Sequence, residues 1–151
     1  MKHSIYRHTI SFGVMLLVGL IFNPMNILAY RTDDLYLSLT LIYSGLLMAS
    51  NMIWAHEVSH YVSMGHLNIH LFCFGIILSV IISTLLLRGQ LFITSDQWLR
   101  RMIGHHSTAI TTTTELLKNN DNFEENQKVY RFAKDIIYNQ EKEILYMKSM
   151  I

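Results

Sequence analysis

Charge is missing from this chain in three long blocks. No Asp, Glu, Lys or Arg occurs from His8 to Tyr30, from Leu35 to His56, or from Val58 to Leu87. Each block reaches the ~17–25 residues that a helix needs to cross a bilayer. A soluble fold must solvate its outside, and charged residues usually make up about a quarter of one. Here they are 15%, against 51% apolar. The pattern predicts an all-α membrane protein, in contact with lipid, with a small polar tail. A net charge of +1 with no basic run excludes nucleic acid as a partner.

Three transmembrane helices are expected, at about 9–30, 35–56 and 69–87, in a domain of residues 1–91. The first is too long for a secretory signal core and no A-x-A-like site ends it, so it reads as a retained span. It is expected to bend near Asn23-Pro24, where proline removes a hydrogen bond. Asp33 or Asp34 is expected to cap the second helix, whose pattern continues to Met64 before a link at Gly65-His66-Leu67-Asn68. Lys2 and Arg7 favour a cytoplasmic N-terminus in a multi-pass inner-membrane protein, which puts the tail outside the cytoplasm or in the periplasm. Arg88, Arg100 and Arg101 argue for the opposite orientation. Cys73 stands alone, so it forms no intramolecular disulfide.

Residues 92–151 read as a helical hairpin. Ser95 or Asp96 is the expected N-cap of a helix to about Lys118, Asn119-Asn120-Asp121-Asn122 is a polar turn, and Phe123 to Met150 forms the returning helix. On the first helix Met102, His105 and His106 are three and four residues apart and share one surface. On the second, Gln140, Glu143 and Met147 line one stripe. Folded back, the two sets form a candidate metal site between helices. Methionine at helical spacing is more often core than ligand, so spacing alone supports packing equally well.

His56-Glu57-Val58-Ser59-His60 matches H-E-x-x-H, in which two His bind zinc and the Glu is a general base. An intramembrane zinc metalloprotease is therefore one alternative, since the stretch resembles the motif of such enzymes. They take a third ligand from an Asp in a later span, and the third span here has no Asp, Glu or His after His70. Asp121 lacks the following glycine and lies beyond that span. His56, His60, His66 and His70 remain a secondary candidate cluster for zinc or copper. A structural or assembly protein without metal is the other alternative.

Gln97-Trp98, Met102-Ile103-Gly104-His105-His106-Ser107-Thr108-Ala109-Ile110, and then Gln140-Glu141-Lys142-Glu143-Ile144 with Met147 resemble the DUF305 family. Its members carry M-I-P-H-H-x-x-A-I and a later Q-x-x-E-I-x-x-M. The upstream apolar part resembles a membrane-anchored branch of that family. The resemblance implies a ferritin-like helical arrangement and a non-enzymatic role in metal binding, copper above all, outside the cytoplasm. By position it implies Met102, His105, His106 and Met147 as ligands, with Gln140 and Glu143 as polar neighbours. Methionine sulfur suits Cu(I), and imidazole also admits Cu(II) and zinc. Gly104 stands where the family has proline. Soluble members have two hairpins and this chain has one, so a homodimer through the hairpin is expected to restore the four-helix bundle.

Overall fold

A computed structural model describes residues 2–119 and 126–151, which contain helices and turns and no strand. They fall into two compact units, Met1–Asn23 with Leu39–Ile93, and Pro24–Ser38 with Thr94–Ile151. Asp121, the rest of the expected polar turn beyond Asn119, and the expected start of the last helix at Phe123 lie outside the described residues.

In the first unit, α1 (Lys2–Ile21) and α4 (Ile69–Ile81) both pack on α3 (Leu39–Met64). Proline acts as a stop here and not as a bend. The α1 ladder ends with Phe22 N–H on Val18 O at 2.8 Å, and Pro24 opens a separate single turn, α2 (Pro24–Ile27). A proline loses nothing at a first helical position, where its missing N–H has no partner to bond. Gly65 terminates α3 with φ +69°, its N–H on Tyr61 O at 2.8 Å, a left-handed cap that favours glycine. Asn68 then caps α4 through its side chain on Leu71 N–H. The last turns, Ile82–Arg88, widen into a π-helix that Gly89 closes on Thr84 O at 2.9 Å.

Small residues set how closely these helices approach. A Cβ on Gly19 would lie 3.1 Å from Gly45 Cα, and one on Gly75 would lie 2.9 Å from Trp54 N. Between α3 and α4, Ser79 Oγ donates to Ser50 Oγ at 3.0 Å in a buried contact. Such small-residue approaches with polar pairs are typical of helices packed in lipid. The stretches His8–Ile27 and Ile69–Arg88 are long and apolar enough to cross a membrane. The second expected span, 35–56, is not among them: α3 has the length, but Ser, Asn, His and Glu57 dilute its apolar character.

The second unit is built on α5 (Ser95–Asn119) and α6 (Gln127–Lys148), which enclose a core of Leu99, Ile103, Ile110, Ile144 and Met147. Thr94, and neither Ser95 nor Asp96, caps α5: its Oγ1 accepts the Gln97 N–H at 3.4 Å, and Asp96 turns instead to Arg100 at 2.9 Å. Asn126 caps α6 on Val129 N–H. Asp33 and Asp34 do not cap α3, which starts at Leu39, five residues after Asp34. They lie in a 3-10 turn, Thr32–Asp34, that packs on α5.

That turn is fastened by a buried polar cluster. Asp34 and Ser107 are 1% and 0% exposed. Ser107 Oγ donates to Asp34 Oδ2 at 2.6 Å and accepts the Tyr30 N–H at 2.7 Å. Lys148 Nζ reaches Asp34 Oδ1 at 2.6 Å and Asp33 Oδ2 at 3.1 Å. Burial opposes the charge on Lys148, but its hydrogen bonds to Asp34 and Asp33 outweigh that and raise its pKa. Two-helix hairpins of this size bury little core alone. The strap at 24–38 supplies a further layer.

Candidate metal centres

Ile103, Ser107 and Ile110 face the core, which fixes the register of the neighbouring residues on α5. His106 turns towards α6 and His105 is exposed, although their rings stay 6.0 Å apart. The His106 side chain is 13% exposed, with Nδ1 2.9 Å from Glu143 Oε2. Nδ1 is buried and out of line for a hydrogen bond. Burial lowers the pKa of His106 most, Glu143 pulls it back up, His105 lowers it further, and the net shift is downward. The imidazole is thus neutral at pH 7, the form that ligates metals. A carboxylate beside Nδ1 favours the proton there and leaves Nε2 as the donor.

The other expected ligands differ in placement. Met147 is a core residue, 6% exposed, and Met102 packs against the same core from α5. Met147 thus belongs to the cluster of Leu99, Ile103, Ile110 and Ile144, and Met102 packs on it. Gln140 is half-buried one turn before Glu143. Two sulfurs and an imidazole make a donor set suited to Cu(I), so the residues present fit the metal that the family resemblance implies. Asp34, Ser107 and Lys148 were missed by sequence reasoning, though a serine inside the apolar stripe Leu99, Ile103, Ile110 is the available signal for a buried polar partner.

The His-Glu-x-x-His stretch occupies the end of α3. Glu57 is 5% exposed, and its Oε2 accepts the Asn68 N–H at 3.1 Å, tying α3 to the start of α4. The rings of His56 and His60 are near-parallel with centroids 6.4 Å apart. His60 Nδ1 lies 2.9 Å from His66 O. His66 packs edge-on against His60 at 6.1 Å, while His70 is exposed. A different histidine joins His56 instead: the ring of His8, from α1, lies 5.4 Å away.

Residues 89–151 match the model of a family described as "Domain of unknown function (DUF305)". Over 130 residues the chain is 34% identical to "Uncharacterized protein L153" of Acanthamoeba polyphaga mimivirus, a match spanning 85% of this chain and 81% of that one. No solved structure matches. The family match covers both halves of the Met/His hairpin, and the similarity to the mimivirus protein covers most of the chain. The chain belongs to the DUF305 family.

Proposed function

We propose that this is a non-enzymatic, membrane-anchored metal-binding protein whose α5–α6 hairpin holds copper through Met102, His106 and Met147. Glu143 and Gln140 orient His106, and the exposed His105 takes part from outside or through a second copy. The observation that carries the reading is the placement of a neutral, largely buried imidazole against a carboxylate, beside two thioether-bearing positions. Copper bound there would be kept in a soft, largely apolar site, which favours holding or passing on Cu(I).

In this reading α1, α3 and α4 form a three-span anchor. Only 6% of His8–Ile27 and 17% of Ile69–Arg88 is buried within the protein, so Val14, Leu17 and Ile21 on α1 and Phe74, Ile77 and Val80 on α4 are left for lipid. Polar groups midway along α3 bond within the helix, as with Trp54 Nε1 on Asn51 Oδ1 at 3.1 Å and Ser50 Oγ on Leu47 O at 2.9 Å. A second copy completes a ferritin-like four-helix bundle, covering Phe132, Tyr138, Leu145 and Tyr146 on α6, each more than 60% exposed.

The test is Cu(I) bound per chain in detergent-purified protein. His106→Ala and Met147→Leu should each weaken binding, the latter with core volume preserved. Wild-type protein that takes up no Cu(I), or equal affinity in all three proteins, refutes the copper site. A strict monomer in nanodiscs refutes the dimer.

A further inference from the structure

The end of α3 carries a second group of metal-ligating side chains, and it is not the set that the His-Glu-x-x-His spacing picks out. Ligand atoms of His8, His56 and Glu57 all lie within 4.8 Å of one another. Glu57 Oε1 is 3.9 Å from His56 Nδ1, and that nitrogen is buried with no hydrogen bond. The other carboxylate oxygen is held by Asn68 N–H. A buried carboxylate with a single backbone donor and a buried nitrogen with none are both undersatisfied. A cation between them would satisfy both. Beside the group, a cleft of about 40 Å³ is lined by His8, Ser11, Met52 and His56 among others. That exceeds the ~10–15 Å³ a water molecule requires, so a fourth ligand has room.

We propose that His8, His56 and Glu57 form a binding site for a divalent transition-metal cation, zinc above all, completed by water. Two imidazoles and one carboxylate are a borderline-hard donor set that suits Zn²⁺ in tetrahedral coordination. Bonds of ~2.0–2.1 Å put neighbouring tetrahedral ligands about 3.3 Å apart. Side-chain rotation closes the difference from the present spacing, with the two histidines already edge to face. His60 stays outside the set: its ring centroid lies 6.4 Å from that of His56, and its nitrogens do not join the group within 4.8 Å. The site would pin α1 to α3 at one end of the apolar unit, and it is independent of the hairpin copper site.

The experiment uses full-length, detergent-purified, chelator-stripped protein carrying His105→Ala/His106→Ala, which removes the hairpin histidines. Zn²⁺ is titrated with metal content measured per chain, and Co²⁺ is the spectroscopic probe of tetrahedral geometry. One zinc per chain is expected. His8→Ala and Glu57→Gln should each weaken it by more than the 10–100-fold typical of lost outer-shell partners, and His60→Ala should leave it unchanged. Glu57→Gln keeps an oxygen for Asn68 N–H, so the α3–α4 link survives, and helical circular dichroism checks folding in every variant. Zinc lost with His60→Ala but not with His8→Ala overturns the assignment in favour of the His56/His60 pair. No zinc in the His105→Ala/His106→Ala protein also overturns it, without touching the hairpin reading, which is scored on Cu(I).

Discussion

Replacing Asp34 by alanine tests whether residues 24–38 are fastened to the hairpin by the buried polar cluster. The carboxylate is 1% exposed, accepts from Ser107 at 2.6 Å and faces the Lys148 ammonium at 2.6 Å. Breaking a fully buried ion pair costs about 3–5 kcal/mol, because a charge is left stranded. Lys148 is only partly stranded here, since its side chain is 21% exposed and it keeps Asp33 at 3.1 Å. A charged hydrogen bond, about 1.5–3 kcal/mol, is the better measure of the loss. The assay is amide hydrogen exchange at Tyr30, whose N–H has Ser107 Oγ as acceptor at 2.7 Å. At about 1.4 kcal/mol per tenfold, exchange should quicken roughly 10- to 100-fold. In a double-mutant cycle, Lys148→Met should cost much less in the Asp34→Ala protein than in wild type. Exchange at Tyr30 that changes less than about threefold would refute the fastening role, because that corresponds to well under 1 kcal/mol.

Three further outcomes follow from the same geometry. Gly104→Ala should stabilise the hairpin by about 0.5–1 kcal/mol, since it sits inside α5 and its Cβ would meet only Asp34 O, at 4.0 Å; thermal unfolding in detergent checks this. Gly75→Ala should destabilise the α3–α4 contact by about 1–3 kcal/mol, because the added Cβ would press on the Trp54 backbone nitrogen at 2.9 Å; the same unfolding measurement reads it. In metal-free protein, acid should loosen the hairpin. The folded pKa of His106 lies below its ordinary 6.5, so the folded state binds fewer protons than the unfolded one. Stability is full above pH 6.5 and is lost as pH falls through the lower, folded value. His106→Gln should flatten that part of the profile of melting temperature against pH.

The Lys148 cluster responds at the other extremes. Lys148 is raised above its ordinary 10.5, so its contribution is full below that value and is lost as pH rises through the higher, folded one. Asp33 is lowered from 3.8, chiefly by its hydrogen bond to Lys148, so its small, solvent-screened part is lost only in strong acid.

The chain's own order of residues determined its helical character, the apolar stretches at 8–27 and 69–88, the link opened by Gly65, and the apolar stripes of α5 and α6. Each of these rests on local physics: hydropathy over one helix, a glycine at positive φ, a repeat of 3.6. The Met/His hairpin and its family were legible for the same reason, because both motifs are short runs on single helices. Tertiary structure decided what depends on residues far apart in sequence. It turned Asp34 from an expected cap into the buried partner of Ser107 and Lys148, separated by 73 residues from the first. It turned His106 towards Glu143 and left its neighbour His105 in solvent. It replaced His60 by His8 beside His56 and Glu57. No spacing rule reaches such pairs, because they form only when two helices settle at a particular distance and rotation, and that is set by the packing of Gly19, Gly45, Gly75 and the hairpin core.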